Sequence, residues 1–345
     1  MVTPSNAIVP TSHKSMTIPN DLDITAGSSS MTNFVLHVGL PKTGTTTLQQ
    51  SLFARHRDVY YLGKQKGTRI NRAFTSQTAL EALTPVLWNH VAPLNIAAGE
   101  KLLTLVRERD PKPKVIVESW EGLSEKAPSH VAESLKRCIS LFGNCRMMIC
   151  LRNPIRKLES QYLQQLRSNF LHKYKRWVHD GYFLEFEPWV QKTLESSIAK
   201  HPLAYCELTR RAVDILGKAN VGVFLFEDFC KNSDRFTSSV CEFLGIDASE
   251  GVELMKQQHL HPRMTEGQVS FLRQLEGSAW RRWLMKFSNE RMRARTFEKL
   301  SDVGIPAKAE MPEDWKQKVS QSTREGHHWL ADNFGLELER YGYPL

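Results

Sequence analysis

The segment Phe34-Val35-Leu36-His37-Val38-Gly39-Leu40-Pro41-Lys42-Thr43-Gly44-Thr45-Thr46-Thr47-Leu48 limits what this chain can fold into more than any other stretch. A nearly continuous apolar run, a turn rich in Gly and Pro, and a hydroxyl-rich helix start follow one another. The pattern predicts a strand over 34–39 covered on both faces, followed by a helix from 45 to about 54. Backbone N–H groups at such a helix start, together with the helix dipole, form a cradle for an anion. Aligned to G-x-x-x-x-G-K-[ST], Gly39, Gly44 and Thr46 fall in register, but position 45, where a nucleotide-triphosphate lysine would stand, is threonine. Lys42 lies inside the loop instead, so the cation approaches the anion from the turn rather than from the helix.

The rest of the chain alternates in the same way. Strands are predicted over 59–62, 114–117, 146–151 and 221–226. Helices are predicted within 76–109, over 129–142 with a stop at Gly143, from 155 to about 177, over 207–216 with a stop at Gly217, and over 236–244. Strands alternating with helices give an α/β fold: one P-loop-like domain over 33–345 with a central, mostly parallel sheet flanked by helices and a helical, basic C-terminal part. Residues 1–32 are rich in Ser, Thr, Pro and Asn, lack a hydrophobic targeting core, and read as a disordered leader.

A second motif follows the strand at 146–151: Leu151-Arg152-Asn153-Pro154-Ile155-Arg156-Lys157-Leu158-Glu159-Ser160-Gln161-Tyr162. Pro154 suits a first helical turn, where its missing N–H would be unpaired in any case. An arginine at the strand end and a serine two turns into the helix suit a terminal phosphate monoester.

Taken together, the two motifs resemble the sulfotransferases that use 3′-phosphoadenosine 5′-phosphosulfate. In that family a P-K-[TS]-G-[TS]-[TS] loop holds the 5′-phosphosulfate, and an R-x-P-x-x-[RK]-x-x-S-x-Y segment holds the 3′-phosphate. Pro41-Lys42-Thr43-Gly44-Thr45-Thr46 matches the first; Arg152, Pro154, Lys157, Ser160 and Tyr162 match the second. The stretch Val223-Phe224-Leu225-Phe226-Glu227-Asp228-Phe229, Cys241-Glu242-Phe243-Leu244-Gly245-Ile246, and the ending Tyr341-Gly342-Tyr343-Pro344 are also similar to the family. The resemblance implies a donor site of Pro41, Lys42, Thr43, Gly44, Thr45, Thr46, Thr47, Arg152 and Ser160, with no metal required. Lys42 would bind the phosphosulfate and stabilise the leaving phosphate. A sulfuryl group carries less charge than a γ-phosphoryl, which accounts for the absence of a helix lysine.

The acceptor needs a general base. Val115-Ile116-Val117-Glu118-Ser119-Trp120-Glu121 ends a strand in two carboxylates, at the edge where α/β sheets gather ligands. Glu121 corresponds to the family's basic residue just past this strand, so the resemblance makes it the first choice; Glu118 is the fallback and His172 a further alternative. The implied reaction is direct in-line transfer to a hydroxyl or amine of a carbohydrate, lipid or small molecule. Two other readings stand beside it. One is a P-loop kinase or hydrolase with a degenerate Walker loop, for which Glu227-Asp228 would supply the Mg²⁺ carboxylate. The other is a binding protein that kept the donor site and lost the chemistry.

Charge and cysteine usage narrow the setting. The net charge of +9 favours polyanionic ligands and leans toward a glycan or other anionic acceptor. No zinc spacing or RNP-type motif points to nucleic acid. The six cysteines form no C-x-x-C pair, as expected of buried thiols in a reducing, cytoplasmic setting. No apolar run is long enough to span a bilayer. Two basic–aromatic blocks remain. Arg167-Ser168-Asn169-Phe170-Leu171-His172-Lys173-Tyr174-Lys175-Arg176-Trp177 reads equally as an acceptor cleft or a solvated face. Arg281-Arg282-Trp283 through Arg291, Arg293 and Arg295 reads as a solvated face or a peripheral contact with an anionic membrane.

Overall fold

Five parallel strands form the centre of the computed structural model, which describes residues 33–63, 74–172, 181–195, 203–256, 264–301 and 304–345. They are β1 (Asn33–His37), β2 (Val59–Tyr61), β3 (Val115–Ser119), β4 (Arg146–Leu151) and β5 (Val221–Leu225), ordered β2-β3-β1-β4-β5. The chain therefore builds one side of β1 with β2 and β3, then crosses to the other side for β4 and β5. That reversal places a crevice at the carboxyl ends of β1 and its neighbours, where ligands of open α/β sheets bind. Register is continuous: Phe34 pairs with Ile116, His37 with Ser119, and Val35 with Arg146.

Period-two alternation explains how these strands bury both faces. Phe34, Leu36, Ile116, Met147, Ile149 and Leu151 point to one core with the helices Gln77–Leu87, Ile96–Arg107, Pro128–Phe142 and Tyr205–Leu216. Val35, Val115, Val117, Met148 and Cys150 point to the other, against Leu48–Phe53 and Ser233–Leu244. A third core takes no residue from the sheet strands. Leu158, Tyr162, Leu166 and Phe170 of Pro154–Leu171 pack there with Trp189, Leu272, Phe297 and Trp315. One face of that helix thus ties the sheet layer to the C-terminal helices.

The predicted helices appear with shifted boundaries. The region 76–109 is two helices, capped by Ser76 and by Asn95, whose side chains accept from Ala79 and Ala98 N–H. Gly143 and Gly217 end their helices with φ of 78° and 77°. The helix after the loop is not uniform: Thr45–Thr47 is α-helical, and Leu48–Phe53 widens into a π-turn. The predicted leader, and Lys173 to Trp177 of the first basic block, lie outside the described residues. Five cysteines are buried as expected, but Cys230 is exposed, because it lies on the outer side of the short helix Phe226–Lys231. Among the described residues no helix is long and apolar enough to cross a membrane.

Candidate active site at the carboxyl edge of the sheet

The loop after β1 is built by two backbone conformations. Lys42 adopts φ 72° and Gly44 φ 77°. The left-handed region is free for glycine but costs a lysine about 1–2 kcal/mol. Gly39 is required for a different reason: a Cβ there would lie 2.0 Å from Thr45 Cγ2 and 3.1 Å from the His37 ring. The turn therefore packs onto the helix start with no space between them. Thr43 Oγ1 donates to the Leu40 carbonyl at 2.6 Å, closing the loop from within. Gly44 is the N-cap, so no threonine hydroxyl is used in capping, and Thr47 and Leu48 N–H both donate to its carbonyl. Thr43 and Thr45 are buried, whereas Pro41, Lys42, Thr46 and Thr47 reach the surface of the crevice. First-turn N–H groups have no helical acceptor, which suits this end to an anion.

Arg152 joins the second motif to the first. It leaves β4, donates from Nη1 to the Lys42 carbonyl at 3.0 Å, and rests its guanidinium 4.8 Å from the centre of the Phe226 ring. Residues 110 positions apart in sequence thus share one hydrogen bond, and the left-handed Lys42 is what turns its carbonyl toward the arginine. Asn153 caps the following helix through Oδ1, accepting from Ile155 and Arg156 N–H. Ser160 is half-buried two turns along that helix, about 9 Å from its start. Lys157, in the first turn, is fully buried; burial lowers its pKa to about 8, partly offset by Glu125.

The carboxylates of β3 diverge. Register pairs His37 with Ser119, and Trp120 N–H donates to the His37 carbonyl at 3.2 Å, so Glu121 starts its turn level with the beginning of the loop. Glu121 is partly exposed there. Glu118 is 1 % exposed, and its Oε2 has no hydrogen-bond partner among the described residues. Burial pushes its pKa well above the ordinary carboxylate value, which favours the neutral acid over the carboxylate.

His172 is not brought to this edge. It caps the far end of Pro154–Leu171, about 27 Å along the axis from the helix start, with Nδ1 3.1 Å from Glu290. This distance from the helix start that follows Arg152 counts against His172 as the base. The Mg²⁺ role considered for Glu227-Asp228 is also corrected. Glu227 accepts from Asn153 N–H at 2.9 Å and from Tyr343 O–H at 3.0 Å, while Asp228 accepts from Tyr341 O–H at 2.5 Å. These carboxylates bind the C-terminal segment. Among the described residues no group of three or more His, Cys, Asp or Glu is placed to hold a metal ion.

Beneath the loop lies a network that sequence patterning passed over. His37 Nδ1 is 2.7 Å from Ser119 Oγ, to which Gln49 Nε2 donates at 2.9 Å. His37 is wholly buried, burial lowers its pKa to about 3, and it is therefore neutral. Its Nε2 has no partner among the described residues and faces Gly39. A histidine in an otherwise apolar strand, two residues before the first loop glycine, was the available signal. Gln49 lies in the π-turn, whose wider winding belongs to the part of the helix that reaches Ser119.

Comparison with known proteins completes the assignment. The sulfotransferase domain model matches residues 33–304. Among solved structures, a sulfotransferase from Alicyclobacillus acidocaldarius is similar over 90% of this chain and 98% of its own, with 16% identity and a TM-score of 0.51. The sulfotransferase domain of the Synechococcus PCC 7002 olefin synthase aligns over 89% and 95%, with 13% identity and a TM-score of 0.42. No curated protein matches the sequence. A family match across most of the chain, on the same parallel sheet that joins Lys42 to Arg152, establishes that this protein belongs to the sulfotransferase family and is an enzyme of sulfuryl transfer.

Proposed function

We propose that the enzyme takes its sulfuryl group from 3′-phosphoadenosine 5′-phosphosulfate and transfers it, in line and without a covalent enzyme intermediate, to a hydroxyl or amine of a carbohydrate, lipid or small molecule. The observation that carries this reading is the Arg152–Lys42 hydrogen bond. It joins a phosphosulfate-type loop to a 3′-phosphate-type motif in one crevice, so both ends of one donor nucleotide find their cations side by side. In this reading the N–H groups of Thr45 and Thr46, with Lys42, hold the 5′-phosphosulfate; Pro41, Thr43, Gly44 and Thr47 shape the loop around it. Arg152 and Ser160 hold the 3′-phosphate. The close approach at Gly39 and the glycine N-cap suit a cradle that presents backbone rather than side chains.

Glu121 accepts the acceptor's proton as its oxygen or nitrogen attacks sulfur. The bond between sulfur and the bridging oxygen breaks, and its electron pair remains on the departing bisphosphate. Lys42 and the helix N–H groups stabilise that charge where it develops, and removing such a donor typically costs 10²–10³ in kcat. Glu118 is the fallback, because burial favours its neutral acid form, which cannot take up the proton. The net positive charge supports an anionic acceptor such as an acidic glycan, and an acceptor screen with labelled donor decides between the classes.

Calorimetry tests the donor. Adenosine 3′,5′-bisphosphate is expected to bind without Mg²⁺, and Lys42→Ala is expected to lower turnover by about 10²–10³. Mg²⁺-dependent ATP binding with no affinity for the bisphosphate would refute the proposal.

A further inference from the structure

The helix Ala279–Met285 and the turn after it carry an apolar stripe that faces solvent. Trp280, Trp283, Leu284 and Phe287 follow i, i+3, i+4, i+7, the spacing that ordinarily faces a core. Here their exposures are 64, 56, 42 and 71%. Trp283 and Phe287 pack edge to face, with ring centres 4.9 Å apart, leaving both outer surfaces open. Met292, on Glu290–Ser301, is also 55% exposed. The opposite side is firmly anchored. Met285 packs into the helical core, Arg282 grips the Glu276 carbonyl and carboxylate, and the buried Arg293 donates to the carbonyls of Leu171 and Ser288. The stripe is therefore held outward by a fixed scaffold.

The charge around it is predominantly basic. Between Ala279 and Lys299 there are seven basic residues and two acidic ones, and Arg281, Lys286, Arg291 and Arg295 are all exposed beside the apolar side chains. Tryptophan and phenylalanine at the crest with arginine and lysine at the margin match a bilayer interface, where rings insert at headgroup depth and cations meet lipid phosphates. A second copy of the chain fits poorly, since a two-fold contact would set this basic margin against itself.

We propose that this face docks the enzyme on an anionic phospholipid surface. It extends beyond the transfer chemistry, because His172 and Glu290 mark it as the far end of the helix from Arg152.

The test is vesicle cosedimentation of the full chain, with bisphosphate binding and thermal melting as controls for folding. The chain is expected to sediment with mixed phosphatidylcholine–phosphatidylserine vesicles, to bind phosphatidylcholine vesicles far more weakly, and to detach at high salt, where the screening length falls to about 3 Å. Combining Trp280→Ser, Trp283→Ser and Phe287→Ser should weaken partitioning at least about tenfold. Combining Arg281→Ala, Arg291→Ala and Arg295→Ala should weaken it about a hundredfold, at roughly fivefold per cation. Any of three results overturns the proposal: equal binding by the variants and the parent chain, a light-scattering dimer lost in the aromatic variant with no vesicle binding, or retention on heparin with no vesicle binding. Because bisphosphate affinity is measured in every sample, failure here is distinguishable from failure of the donor assignment.

Discussion

Two carboxylate pairs stand at strand ends on opposite sides of β1, and they serve different ends. Glu227 and Asp228 follow β5 and accept from Asn153 N–H and from the hydroxyls of Tyr343 and Tyr341. Glu118 lies near the end of β3 and Glu121 begins the turn after it: the first is buried, with one oxygen unpartnered among the described residues, and the second is partly exposed. Position at the carboxyl edge of a parallel sheet makes a carboxylate available for chemistry. The hydrogen bonds of Glu227 and Asp228 fasten the chain, whereas Glu121, in the proposed reaction, takes the acceptor's proton.

The largest effect expected from this contrast is on turnover. Glu121→Gln should lower kcat about 10²–10⁴-fold with bisphosphate affinity intact, whereas Glu118→Gln should stay within about tenfold at equal folded fraction. The reverse order in steady-state rates would make the buried acid the base and invert the comparison. Next comes stability. Glu227→Ala strands two donors on residues that are 4–5% exposed, Tyr343 and Asn153, and should cost about 2–5 kcal/mol in urea unfolding. Bisphosphate affinity per folded molecule should fall less than about tenfold; a collapse of affinity with unchanged stability would move Glu227 into the donor site. The smallest effect is a pH slope. Burial and the bond to Asp228 raise the Tyr341 pKa from 10.0 to about 12. The folded state therefore keeps this proton more tightly than the unfolded chain does. The stability involved is present below pH 10 and is lost as pH climbs toward about 12. The difference in unfolding free energy between the parent chain and Tyr341→Phe should shrink across that interval; a constant difference would show that the bond does not hold the tail.

Contiguous patterns were the legible part of the sequence. The apolar runs of β1, β4 and β5, the glycine stops at 143 and 217, and the family likeness of the two motifs all read directly from their own residues. Relations across the sheet did not. That Lys42 offers its carbonyl to Arg152 depends on a left-handed lysine, which no propensity favours. That His37 meets Ser119 depends on strand register, and that Glu118 is buried while Glu121 is open depends on where β3 gives way to its 3₁₀ turn. His172 was misplaced because sequence adjacency to the second motif stood in for spatial adjacency, and an intact helix converts residue number into distance. The closing Tyr341-Gly342-Tyr343-Pro344 was noticed as a likeness, but its clasp on the β5 carboxylates required the fold.

The backbone of Lys42 carries a consequence for anyone selecting hardier forms of this enzyme. Glycine at position 42 would relax a left-handed φ of 72° and free about 1 kcal/mol, while deleting the only side-chain cation of the loop. If Lys42 holds the donor as proposed, a screen rewarding survival on heating would drift toward a less active protein at that position. Under that proposal, lysine at this position trades durability for chemistry.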